Sequence, residues 1–212
     1  MSAKLKTEEV PASRPAGIAK TMPLEDGDDV AERIYRQALD AYSQGRTSES
    51  LMLARQALTS SPQHQAVRQL LVRQYIEQRD LGQACSVLRD GIRVRPGQLP
   101  WYAWLARLEM ERGDLPAARQ VVEEALAQSA NDADMLALAG AIAQRQGRSA
   151  DAAEHYRAAL RLKPAEGRAW VGLGLALEAE GHGQEAREAF RRALNSPGLS
   201  PELQGLAQRK LR

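Results

Sequence analysis

Residues 167–198 read GRAWVGLGLALEAEGHGQEAREAFRRALNSPG. Counted from Gly167 as position 1, apolar residues recur every three or four places on either side of Gly181, the helical spacing. Gly181 at position 15 suits the left-handed residue that ends a helix, and Pro197-Gly198 forbids continuation of the second one. The stretch therefore reads as two helices folded back on each other. Moving towards the N-terminus in steps of 34 finds the same pattern again, with units starting at Ala133, Leu99, Gln65 and Ala31 and no insertion between them. Position 20 reads Ser50, Ala84, Ala118, Ala152 and Ala186, and position 27 reads Ala57, Gly91, Ala125, Ala159 and Ala193. These places and position 8 are mostly small, as expected where helices cross at close range. Position 15 reads Gly45, Arg79, Gly113, Gly147 and Gly181, and position 32 reads Pro62, Pro96, Ala130, Pro164 and Gly198. Larger residues at positions 4, 7, 11 and 24 fill the space between helices; in the last unit they are Trp170, Leu173, Leu177 and Phe190.

A period of 34 residues is the length of the tetratricopeptide repeat, and the units resemble that family. The best match runs from Ala169-Trp170-Val171-Gly172-Leu173-Gly174 through Ala186, Phe190 and Ala193. The resemblance implies an all-α, right-handed superhelix (α-solenoid) of five helical hairpins. The expected organisation is a disordered tail or linker over 1–30, and five units over 31–199 (31–64, 65–98, 99–132, 133–166 and 167–199). A capping helix over 200–212 follows. The tail carries Pro11, Pro15, Pro23 and an acidic cluster, with too little apolar surface to offset the entropy of ordering. Its functional alternative is a tether or short recognition segment. Ser50 and Ala54 make the first unit the least typical, as suits an end unit. Ser200-Pro201-Glu202 is a helix start, and Leu203, Leu206, Ala207 and Leu211 form one apolar side beyond it.

The whole-chain numbers fit this reading. Over 212 residues, Lys and Arg number 29 against 27 Asp and Glu, so net charge gives no general attraction to nucleic acid. The single cysteine, Cys85, allows neither an internal disulfide nor a multi-thiolate metal site. It reads as a buried or half-buried packing thiol. The uncharged apolar run Leu136 to Ala143 is far below the ~20 residues of a membrane helix. Lys4 and Lys6 precede no apolar stretch, so a signal peptide is not expected, nor is direct membrane insertion. Basic residues at the C-terminal end (Arg187, Arg191, Arg192, Arg209, Lys210, Arg212) alternate with Glu180, Glu185, Glu188 and Glu202, which reads as a solvated mixed face.

Site chemistry is missing. His64, His155 and His182 fall in three different units without metal-ligand spacing and read as solvent-exposed. Gly172 and Gly174 lie inside a helix and read as close-packing residues, not a phosphate loop. With no nucleophile–base arrangement, the expectation is a non-enzyme without cofactor or metal, working through protein partners.

In the resembled family the first helices line the concave face through positions 2, 5, 6, 9, 12 and 13. The family's pocket for a C-terminal carboxylate needs Lys and Asn at positions 5 and 9 of one unit, Asn at 6 of the next, and Lys and Arg at 2 and 6 of a third. No three consecutive units show that set, which argues against a chaperone-tail receptor. The face instead offers Tyr35 and Tyr42, the pairs Arg73–Glu77 and Arg107–Glu111 at positions 9 and 13, and Trp104 at position 6. Arg and Trp are the types richest in interface hot spots. The plainer reading of each Arg–Glu pair is an i,i+4 surface bridge worth a few tenths of a kcal/mol. Trp170 reads as core, and Trp101 as packed against the preceding hairpin.

A narrower resemblance lies at the two ends of the array. Met22-Pro23-Leu24 followed by Ala31-Glu32-Arg33-Ile34-Tyr35-Arg36-Gln37-Ala38-Leu39, together with Gly167-Arg168-Ala169-Trp170 and Ser200-Pro201-Glu202-Leu203-Gln204, is similar to the periplasmic repeat domain of pilus-biogenesis proteins. These belong to the mannose-sensitive haemagglutinin (type IV) system. That resemblance implies pilus or inner-membrane assembly partners and a periplasmic or membrane-associated place, provided that a membrane helix lies upstream. The alternatives are a cytoplasmic scaffold or co-chaperone module, or a regulatory subunit of an enzyme.

Overall fold

The computed structural model describes residues 26–212, all of whose regular structure is helical. The hairpins are α1 (Gly27–Ser43) with α2 (Thr47–Ser60), α3 (Gln65–Glu77) with α4 (Leu81–Val94), and α5 (Leu99–Glu111) with α6 (Leu115–Gln128). Then come α7 (Ala133–Arg145) with α8 (Ser149–Leu162), α9 (Gly167–Ala179) with α10 (Gly183–Leu194), and the closing α11 (Pro201–Lys210). Each packs on its neighbours in chain order, giving an all-α superhelical stack. Direct packing of α5 on α7 and of α7 on α9 makes the first helices the inner layer.

The turn inside each hairpin is the same device five times. Position 15 is left-handed in every unit, at φ 72° for Gly45, 59° for Arg79, and 80°, 74° and 81° for Gly113, Gly147 and Gly181. That conformation lets the N–H of position 16 (Arg46, Asp80, Asp114, Arg148, His182) donate back to the carbonyl of position 11 (Ala41, Tyr75, Glu109, Ala143, Leu177), each at 2.9 Å. Carbonyls that the helix end would leave bare are thus satisfied. The helix starts are capped less uniformly. Asp80, Asp114 and Asp132 accept from the backbone N–H of Gln83, Ala117 and Met135 at 3.0, 3.0 and 2.9 Å.

Small residues admit large ones across the hairpins. Tyr156 of α8 lies against Gly140 of α7 and Gly172 of α9, and Phe190 of α10 against Gly174; a Cβ at Gly172 or Gly174 would run into those rings. Trp101 is buried against the preceding hairpin, as its position implies, with Gly91 making the room. The guanidinium of Arg68 stands over its ring at 5.4 Å and donates to the carbonyls of Val87 and Pro62, each at 2.7 Å. Cys85 is buried, and that burial, reinforced by Glu109, pushes its thiol up to about 11.

Several expectations need correction. The first helix begins at Gly27, not Ala31. Asp28 and Asp29 of the acidic cluster sit in its first turn, where the helix end favours negative charge, and Gly27 lies so close to the Ser60 carbonyl that a side chain would collide. Residues 1–25 of the expected tail lie outside the described residues. Trp170 is half-buried: it lies along the preceding turn, donates its ring N–H to the Pro164 carbonyl at 2.7 Å and carries Arg192 at 4.9 Å from its ring. Ser200 is extended before α11 but its hydroxyl caps nothing; hydrogen bonds from the Glu202 N–H and the Ser200 hydroxyl hold the exposed Glu202 carboxyl below its usual range. Ala207 of α11 is fully buried, and Lys210 reaches Glu178 of α9 at 2.6 Å.

Two buried polar groups are tied across repeats. The Ser50 hydroxyl donates to the Ala38 carbonyl at 2.7 Å and accepts from the Gln74 amide at 2.9 Å. The Glu109 carboxylate is fully buried, bonded by Arg112 at 2.7 Å and by Arg89. Both arginines are part-exposed, at 38% and 47% of their side-chain area, so either can rehydrate but the carboxylate cannot. Replacing both by Met is therefore expected to cost about 3–5 kcal/mol, against about 1–2 kcal/mol for Glu109→Gln; urea unfolding of the two variants gives the order. Arg79→Gly relieves the one left-handed side chain among the described residues and is expected to stabilise by about 0.5–1 kcal/mol in the same assay.

Candidate functional site

The first helices set the site. Between α3 and α5 the inner layer opens into a concavity of about 480 Å³. Gln69, Val72, Arg73, Ile76 and Glu77 come from one helix and Trp104, Arg107 and Leu108 from the next. The spacing of three and four residues puts each set on one face of its helix. Four of the seven expected groove residues are brought together here: Arg73, Glu77, Trp104 and Arg107. Trp104 is 40% exposed and Ile76 41%, while Val72 is fully buried beneath them. An indole and a sec-butyl group side by side in solvent form an apolar floor with no covering element.

The electrostatics differ from the i,i+4 expectation. Neither Arg73–Glu77 nor Arg107–Glu111 forms an ion pair. Glu77 instead accepts a 2.6 Å hydrogen bond from the Tyr42 hydroxyl of α1, 35 residues away in sequence. That bond raises the pKa of the Tyr42 hydroxyl, whereas neighbouring Arg73 opposes the rise. Tyr42, Arg73 and Glu77 thus form one polar cluster beside the apolar floor. Arg107 makes no hydrogen bond or ion pair among the described residues. It also borders a second hollow of about 260 Å³ towards α7 and α9, with Asp134, Ala137, Leu138 and Arg168.

Tyr35 is not part of the concavity. It is half-buried with its ring 5.4 Å from that of His64, tilted by 49°. His64 in turn is no exposed histidine, with 15% of its side chain accessible. Its Nδ1 accepts from the Val67 N–H at 3.3 Å and its Nε2 lies 3.3 Å from Glu32. The turn before α3 folds inward, so a residue that looks terminal in sequence caps a helix instead. Glu111 ends α5 exposed and outside the hollow. Ile76 was missed by the sequence reading; its signal was an apolar residue at position 12, a groove-facing place. At the far end, Glu188 pairs with Arg191 and Arg192 at 3.6 and 3.1 Å, so part of the basic set is neutralised on the surface. Among the described residues no cluster of His, Cys, Asp or Glu could hold a metal ion, and no helix is long and apolar enough to cross a membrane.

Two family models, both for the tetratricopeptide repeat, match residues 75–142 and 138–201. Among solved structures, the MamA protein superposes with a TM-score of 0.66 at 20% identity, over 81% of this chain and 92% of that one. TTC0263, a thermophilic tetratricopeptide-repeat protein of Thermus thermophilus, gives 0.60 at 20% identity over 85% and 98%. YrrB, a tetratricopeptide-repeat protein with an unusual peptide-binding site, gives 0.65 at 14% identity over 84% and 92%. At these identities the likeness is one of fold. No curated protein matches the sequence.

The exposure of Trp104 is directly measurable. In a Trp101→Phe, Trp170→Phe background, acrylamide is expected to quench the remaining indole readily, whereas Trp101 alone, 2% exposed, stays shielded. Because the groove side chains support little packing, Arg73→Ala with Trp104→Ala is expected to leave the melting temperature within about 3 °C.

Proposed function

Because the chain is a tetratricopeptide-repeat protein, we propose that it is a protein-interaction scaffold that receives a peptide or helix of its partner on the concave face, between α3 and α5. The observation that carries this reading is the apolar floor of Ile76 and Trp104, left open to solvent in a preformed hollow with Arg73, Glu77 and Arg107 at its rim. Rigid stacked helices hold these groups in place before a partner arrives, which lowers the ordering cost of binding. That YrrB, of the same fold, has a peptide-binding site makes such a use of the fold concrete. Repeats of this kind are generally non-catalytic, and the work assigned to this chain is holding a partner within an assembly.

As its setting we propose envelope assembly, with pilus or inner-membrane proteins as partners. The support is the likeness, at both ends of the array, to the periplasmic repeat domain of type IV pilus-biogenesis proteins. A crosslinked pull-down from the source cells with the full chain as bait tests both levels. Recovery of pilus or inner-membrane assembly proteins is expected, and recovery of soluble cytoplasmic proteins alone would overturn the setting. Arg73→Ala with Trp104→Ala is expected to reduce capture about tenfold or more, since a combined loss of ~1.4 kcal/mol from truncated hot spots is already tenfold. Undiminished capture would move the site off the concave face.

A further inference from the structure

Resting on the concave-face reading above, we infer that the hollow between α3 and α5 selects a segment in which an apolar side chain stands next to an Asp or Glu. The floor takes the apolar group: Val72, Ile76, Trp104 and Leu108 line it, and its volume of about 480 Å³ suits one large side chain with its neighbours.

The rim decides the charge. It carries two arginines and one carboxylate. That carboxylate, Glu77, already accepts the Tyr42 hydroxyl at 2.6 Å, and Arg73 lies against the same cluster. Arg107 is left over. It is exposed and has no hydrogen bond or ion pair among the described residues. It faces two hollows at once, and in the second the carboxylate of Asp134 is held by Lys163 at 2.9 Å. Glu166 and Arg168 share that second hollow and balance each other in charge. The rim therefore presents one unanswered guanidinium beside an apolar floor. A partner carboxylate placed there gains a charge-assisted hydrogen bond. A partner lysine meets Arg107 as a like charge and finds Glu77 already engaged.

The test uses the full chain and three short fluorescent peptides centred on Phe, with Glu, Ser or Lys as neighbours. Both ends are blocked, so that only side chains carry charge. Anisotropy titration is expected to rank Glu above Ser above Lys, the Glu peptide binding about tenfold tighter than the Ser peptide. Arg107→Glu is expected to reverse the order of the Glu and Lys peptides, and added salt to narrow their difference. Equal or tighter binding of the Ser or Lys peptide, abolished by Trp104→Ala, would overturn the acidic partner while leaving the concave site in place. Binding indifferent to both Trp104→Ala and Arg107→Glu, or no binding at all, would overturn both. Arg107 and Trp104 are exposed, and circular dichroism verifies that each variant keeps its helices.

Discussion

Close approach of helices is the constraint from which the rest of this molecule follows. A ring as large as that of Tyr156 fits between α7 and α9 only because Gly140 and Gly172 bring no side chain to meet it, and Phe190 depends on Gly174 in the same way. Where the rule is kept, a hairpin buries one face of each helix and hands the next hairpin a complementary surface. Dense packing of this kind tolerates little change in volume, so the curvature of the array is inherited from the sizes of a few residues. The inner helices cannot bury every apolar group they carry, and Leu39, Ile76 and Trp104 are left exposed on them. The candidate site is thus a by-product of stacking that has kept its apolar residues.

The departures from the repeat pattern follow the same logic. Ser50 stands where other units have Ala, and its hydroxyl links the Ala38 carbonyl to the Gln74 amide of the next unit. Glu109 stands fully buried at position 11, where Leu177 fills the last unit, and answers two arginines, one on α4 and one just beyond α5. Arg68 is buried on Trp101 against Gly91, so a charged residue, an indole and a missing side chain make one contact between units. Each is a polar group kept inside by partners in a neighbouring element, the condition under which burial is tolerated. Such bonds have direction, which generic apolar packing lacks, and they hold the units in one register.

For a scaffold, preformed shape matters more than chemistry. The inner-layer side chains sit on helices whose ends are closed by the same 2.9 Å backbone hydrogen bond five times over, so the groups at the groove hold their places without a ligand. The cluster of Tyr42, Arg73 and Glu77 joins α1 to α3 across the face and keeps the carboxylate occupied. The charge offered to a partner is then set by Arg107 and not by the number of charged residues nearby.

Much of this was legible from a single strand of letters. A period of 34, mostly small residues at three places in the unit and a glycine at position 15 of four units determine the helices, the turns and their order, because these depend on neighbours close in sequence. The resemblance to the tetratricopeptide family, carried onto that period, placed Arg73, Glu77, Trp104 and Arg107 on the inner face. It did not tell which residue of another unit each would meet. Glu77 looks like the partner of Arg73 four residues before it, yet bonds Tyr42 from the preceding unit; His64 looks like a surface turn residue, yet packs on Tyr35. Trp101 and Trp170 sit one position apart in their units, yet one is buried and the other lies half-open along Pro164. A periodic pattern specifies the face of a helix. The distance and angle between units, which the bulk of residues such as Gly91, Tyr156 and Gly172 sets in three dimensions, decide what that face touches.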